Sequence, residues 1–153
     1  MRYATSDLRK MQLPLTEESE IDFSNDLIGL EDILSCSKAK VVETISKQDT
    51  FYKVDASIKI NLVIESAISL KEVPYEIVTN VTFLYTFDKD DVSEFDAILI
   101  ENGVVDTYDA ILTEILCNKP MTVCLPGEEY TSDEDDKDNI NPAFAGLADL
   151  LKK

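Results

Sequence analysis

The sequence predicts an α+β protein: an antiparallel β-meander forming a half-barrel or curved sheet, with two helices packed on it. Three observations predict this. From "AKVVETISKQ" to "VPYEIVTNVTFLYTF" the chain alternates apolar and polar residues, the period of strands that bury one face. "DTYDAILTEILCNKP" instead repeats apolar residues at the spacing of one helical face. A chain of 153 residues, 44% of them hydrophobic, is long enough to form one domain with its own core.

Taken in order, "DLRKMQLPLTEESEIDF" reads as a strand, a Pro-containing turn and a second extended segment. "GLEDILSC" fits either a short helix or the entry to a strand. "AKVVETISKQ", "TFYKVDASIKINLVIESAISL" and "VPYEIVTNVTFLYTF" are the long strands, rich in Val, Ile, Thr, Phe and Tyr. In the second, Ala56, Ile58, Ile60 and Leu62 should face the core, with Asp55, Ser57, Lys59 and Asn61 facing water. "DKDDVSEFD" reads as a polar loop, and "FDAILIENGVVD" as a short hairpin turning at Asn102-Gly103. A helix is expected at about 107–118, its core face made by Tyr108, Ile111, Leu112, Ile115 and Leu116. Asp106 is the expected N-cap and Asn118, ahead of Lys119-Pro120, the expected stop.

The chain ends in an acidic loop at 127–140 and then a second helix at about 142–151. Asn141 suits the N-cap and Pro142 the first turn, while Lys152 and Lys153 complement the negative end of the dipole. So short a helix is barely stable alone in water. Phe144, Leu147, Ala148 and Leu151 therefore predict a helix that covers the sheet.

Composition narrows the function. Lys and Arg number 14 against 31 Asp and Glu, a formal charge of −17, and no basic cluster stands out. Nucleic-acid affinity rests on cations that displace counterions from phosphates, so binding across a broad surface is disfavoured. The field attracts basic partners instead, and ribosomal proteins are an abundant basic class. No apolar run approaches the roughly 18 residues of a membrane span, and the N-terminus has no apolar signal segment. Three cysteines without paired spacing fit a reducing cytoplasm.

Residues for catalysis are scarce. With no histidine, histidine triads and the common zinc sites are excluded, and no phosphate-binding glycine motif is present. Cys117, beside apolar neighbours on a helix, is expected to be a buried structural thiol. Two acidic clusters, "SDEDDKDN" and Asp88, Asp90 and Asp91, invite comparison with a calcium loop. Neither carries oxygen ligands at the alternating positions, and neither has the required glycine. Both read as solvated charge runs, so neither a cofactor, a bound metal nor an enzyme is expected.

The order of parts resembles the YceD family, the large ribosomal RNA subunit accumulation proteins. The likeness runs nearly the full length, 1–153, as a single domain. It is carried mainly by "VDTYDAILTEILCNKPMTV" and "NPAFAGLADLL". On that comparison Asp106, Glu114, Pro120, Met121, Asn141, Pro142, Phe144, Ala145, Leu147 and Leu151 stand at family-typical positions. Many relatives carry a Cys-x-Arg-Cys or Cys-x-Arg-Thr element after a long strand. Here Ser66, Ile68 and Ser69 of "ESAISLKEVPY" take that place, so no cysteine or arginine role carries over.

The resemblance implies a bacterial ribosome-biogenesis factor that supports accumulation or processing of large-subunit (23S) ribosomal RNA. Read with the charge, it implies non-enzymatic contacts with basic ribosomal proteins or large-subunit assembly intermediates. Glu128, Glu129, Asp133, Glu134, Asp135, Asp136 and Asp138 would form the electrostatic contact. Two alternatives stay open: direct contact with precursor ribosomal RNA through Lys38, Lys40, Lys47 and Lys53, and a divalent-metal hydrolase built on the Asp clusters.

Overall fold

A computed structural model describes residues 1–30 and 32–128. The helix expected at 142–151 and the acidic loop beyond Glu128 lie outside the described residues. The fold is α+β, dominated by a mainly antiparallel sheet with a few short helices.

The centre is a meander of three long strands: β4 (Ala39–Gln48), β5 (Phe51–Glu65) and β6 (Glu72–Thr86). A two-residue turn joins β4 to β5, with Asp49 in the left-handed region at φ 52°. Strand β2 (Leu15–Ile21) adds to the far side of β4, and β3 (Ile33–Cys36) pairs with the end of β5 that β4 leaves uncovered. The alternation expected for β5 holds. Ala56, Ile58, Ile60 and Leu62 are buried, and the intervening residues face outward. Each fully buried isoleucine or leucine on this face contributes about 1.5–3 kcal/mol.

The other segments depart from expectation in instructive ways. Asp7 and Leu8, read as the start of a strand, belong instead to the short helix α1 (Thr5–Leu8), which buries Leu8. The strand that precedes it, β1 (Arg2–Ala4), pairs far along the chain with β8 (Val104–Asp106). The polar loop is instead α3 (Lys89–Phe95). The Asp88 side chain caps it by accepting from the Asp90 amide at 2.9 Å, and Asp90 and Asp91 favour the positive end of its dipole. Left-handed Asp96 closes it at φ 53°.

The Asn102-Gly103 turn is present, with both residues at positive φ. Its arms diverge, however. β7 (Ile98–Leu99) joins β6 in parallel, while β8 leaves to pair with β1.

The core has two parts on one side of the sheet. The larger gathers the inward residues of β5 with Phe23 and Leu27 around α2 (Ser24–Leu27), and with Ile111 and Ile115 of α4 (Tyr108–Asn118). The smaller joins Tyr3 and Leu8 to Ile45, Tyr52, Tyr85 and Val105. The opposite face of the sheet is polar. Thr16 and Thr44 share a 2.9 Å hydrogen bond, Thr82 donates to Asp55 at 2.6 Å, and Lys59 pairs with Glu76 at 3.4 Å.

Helix α4 matches the expected span, with Thr107 at the N-cap position in place of Asp106. Asp106 still performs a capping role, because its Oδ1 accepts from the Tyr108 amide at 3.1 Å. Leu116, expected in the core, is 39% exposed. Cys117 is exposed too, which corrects the buried thiol expected there: two residues past Ile115, at about 100° per residue, it lies on the far side of the helix from the stripe that Ile111 and Ile115 bury.

The Tyr108 phenol donates to Asp26, and that bond with partial burial pushes it up to about 12. A phenol raised in the folded state contributes stability that is complete below its unfolded value of about 10 and is lost as the pH rises beyond it. The window is therefore about pH 10–12. Asp26→Asn should move the Tyr108 transition back toward about 10. Phenolate absorbance, followed through an alkaline titration, checks this.

Candidate partner-binding groove

Where α4 passes β6, the structure leaves a groove of about 1020 Å³. One wall is the edge of β6 from Val81 to Tyr85, the other is the first half of α4, and the β7–β8 turn closes one end. Val81, Phe83, Ile98 and Ala110 supply apolar lining. Around them stand five carboxylates, Asp96, Glu101, Asp106, Asp109 and Glu114, against one guanidinium, Arg2.

That guanidinium is already engaged, since Arg2 Nε donates to Asp106 Oδ2 at 2.8 Å. Glu114 accepts from Thr79 at 3.3 Å and from Asn118 at 2.7 Å. Asp96, Glu101 and Asp109 make no ion pair among the described residues. The groove therefore combines apolar lining with unneutralised negative charge.

The wall is held rigidly. Tyr85, almost wholly buried, donates through its hydroxyl to the Asp106 carbonyl at 2.9 Å, which ties β6 to the start of α4. Burial pushes the Tyr85 phenol well above its ordinary value. On the other side of α4, Phe23 stacks against Tyr108 with ring centroids 4.8 Å apart.

The residues singled out from sequence fall in separate places. Asp106 and Glu114 line the groove, each bonded within the chain. Pro120 and Met121 lie just past α4, and Met121 is 94% exposed. Glu128 is an anchor: its carboxylate accepts from Ser66 Oγ at 2.6 Å and from the Leu125 amide at 2.9 Å. The Ser66 hydrogen bond, followed by those of Ser69 and the Leu125 amide, holds its carboxyl below the usual carboxylate value. Ser66 itself is buried, and its Oγ also accepts from the Ile68 and Ser69 amides. Ser66, singled out from sequence, is thus a buried turn serine. Glu129, Asp133, Glu134, Asp135, Asp136, Asp138, Asn141, Pro142, Phe144 and Leu147 lie outside the described residues.

Lys38 and Lys40 lie two residues apart, with Lys59 opposite Lys40 but paired with Glu76, yet the four lysines read from sequence do not form one patch. Lys40 and Lys53 point outward on β4 and β5 but stand about 20 Å apart along the strands, at roughly 3.3 Å per residue. Lys47 has the opposite parity on β4 and sits over the Tyr52 ring at 5.9 Å. Lys53 is paired with Asp55 at 3.3 Å. Asp88 caps α3, and Asp91 accepts from Thr86 at 2.8 Å. No group of three or more metal-binding side chains occurs among the described residues.

The groove escaped sequence reading because, although all of its lining but Arg2 comes from residues 81–114, it exists only once α4 has folded back beside the edge of β6. Only the density of acid in "ENGVVDTYD" signalled it.

Fold and groove together define a mixed α+β protein on a mainly antiparallel sheet, with an acidic cleft beside one strand edge. The chain is similar to the uncharacterized protein YlbN of Bacillus subtilis (strain 168), 27% identical over 172 aligned positions that cover 100% of this chain and 98% of that protein. No family model matches, and no solved structure matches significantly. Among the described residues, no helix is long and apolar enough to cross a membrane.

Proposed function

We propose that this protein is a non-enzymatic assembly factor of the YceD family, acting in the bacterial cytoplasm to support accumulation or processing of large-subunit (23S) ribosomal RNA. It acts through contacts with basic ribosomal proteins or with assembly intermediates that display them. One observation carries the reading: an apolar cleft lined by five carboxylates, whose one guanidinium is already paired, on a chain of formal charge −17. Such a surface attracts cationic protein and repels free polyanions. The sequence resemblance supplies the ribosomal context, and the distance of Lys53 from Lys38 and Lys40, with the net charge of −17, favours protein over RNA as the direct partner.

Affinity purification from cells at two salt concentrations tests this, reading both proteins and RNA. Large-subunit ribosomal proteins should be recovered at about 0.1 M salt, where the screening length is roughly 10 Å. They should be lost near 1 M, where it is roughly 3 Å. Recovery of non-ribosomal partners alone would overturn the proposal.

A further inference from the structure

We propose that the groove is a strand-addition site: an extended, lysine- or arginine-rich segment of a partner protein pairs with the free edge of β6 between Asn80 and Leu84. The inference rests on the assembly-factor reading for the source of that partner. Its geometry stands on separate observations.

The first is the state of the edge. β5 pairs with β6 from Glu72 to Tyr85 without a register shift, whereas on the other side β7 reaches only Tyr85 and Thr86. The Thr86 carbonyl accepts from the Ile100 amide at 2.7 Å, so Thr86 directs its backbone groups to the β7 side. Strand geometry gives every second residue the same direction. Leu84, Thr82 and Asn80 therefore aim their N–H and C=O groups away from β5; the Tyr85–Ile98 bridge to β7 engages the Leu84 carbonyl, and no strand pairs with the Leu84 N–H or with Thr82 and Asn80 among the described residues.

An open edge is normally blunted by lysine, proline or a bulge. Here Asn80, Thr82 and Leu84 supply none of these, and Thr82 and Leu84 line the groove. A row of unmet backbone groups in a cleft is matched by another extended backbone.

The second observation is charge. Asp96, Glu101 and Asp109 stand around the cleft without an ion pair among the described residues. A segment alternating basic and apolar residues would meet the carboxylates with one set and the lining at Val81, Phe83 and Ile98 with the other. A second copy of this chain brings a formal charge of −17, and the chain's own run at 133–138 is itself acidic. Charge favours a basic partner over both.

The test uses the full chain and an acetylated, amidated peptide of alternating lysine and valine. A control peptide carries the same side chains on an N-methylated backbone. It keeps every charge and removes every N–H. Calorimetry at low salt should show the unmodified peptide binding at least about tenfold more tightly, the loss expected when the inter-strand hydrogen bonds are removed. Hydrogen exchange should slow at the Thr82 and Leu84 amides. Glu101→Lys with Asp109→Lys should weaken binding by about tenfold or more, while Glu18→Lys with Glu20→Lys on the outer face of β2 should stay within about twofold.

Equal affinity for both peptides, or protection confined to other residues, would overturn the proposal. So would Thr82 and Leu84 amides already protected in the free chain, which would mean its own residues cover the edge. Protection that grows with protein concentration would assign the edge to a second copy and overturn it as well. A failed groove with large-subunit proteins still co-purifying removes this inference alone. Peptide binding as expected, with no ribosomal protein recovered, removes the assembly reading and keeps the groove.

Discussion

Phe23→Ala is expected to destabilise the protein by about 3–5 kcal/mol, the range for deleting a buried aromatic ring. Phe23 has no exposed surface and belongs to the larger core cluster, where it stacks on Tyr108 at 4.8 Å. Its carbonyl also accepts from the Asp26 and Leu27 amides at 3.0 and 2.9 Å, so it starts α2. One side chain thus fastens the segment after β2 to the first turn of α4. Alanine leaves a cavity that neither backbone closes easily, because β5 and α4 meet around it. The melting temperature should fall by roughly 6–20 °C, at about 2–4 °C per kcal/mol for a chain of this size.

Function should suffer before global unfolding. The first turns of α4 carry Asp109 and Ala110 of the groove, and they rest on Phe23 through Tyr108. Amide exchange in α4 should quicken in Phe23→Ala below its melting temperature. Leu116→Ala, on the exposed side of the same helix, should change stability by no more than about 0.5 kcal/mol. Thermal denaturation of both variants decides this. A loss below about 1 kcal/mol in Phe23→Ala would mean that the junction is looser than its packing indicates.

What sequence made legible here was whatever local period controls. β4, β5 and β6 announce themselves because alternation over ten or more residues leaves no competing period, and α4 does so by its i, i+3, i+4 stripe. α3 had a readable signal too, an Asp cap followed by acid in the first turn, but its lack of any buried residue hid it behind polarity. The pairing of β1 with β8 and the parallel entry of β7 are long-range events that no local pattern encodes. The groove inherits that limit. Arg2 meets Asp106, and β6 meets α4, only after the sheet has formed. Cys117 shows a smaller error of the same kind, since apolar neighbours in sequence are not neighbours on a helix surface.

Glu43→Gln should stabilise the protein by about 1–2 kcal/mol and raise its melting temperature by roughly 2–8 °C. Glu43 sits at the inward parity of β4, between Val41 and Ile45, and is wholly buried. A buried carboxylate needs several donors to replace lost water. This one has the Tyr3 hydroxyl at 3.1 Å on Oε2, and its Oε1 has no partner among the described residues. The Met1 amine stands 3.9 Å away and makes its shorter contact, 2.6 Å, with Thr107 Oγ1. Glu17 lies directly opposite across the β2–β4 pair and opposes the charge. Desolvation and like-charge repulsion therefore outweigh one distant ion pair. Glutamine keeps the volume and the acceptor for Tyr3, removes the charge and offers Glu17 a donor. Glu43→Ala does none of this and should instead cost about 2–4 kcal/mol, through a cavity and a Tyr3 hydroxyl left with only the weak Met1 thioether acceptor at 3.3 Å. Chemical denaturation of the two variants separates the terms. A Glu43→Gln protein less stable than the parent by about 1 kcal/mol or more would show that the amine pair dominates, and that this carboxylate locks β1 onto the sheet.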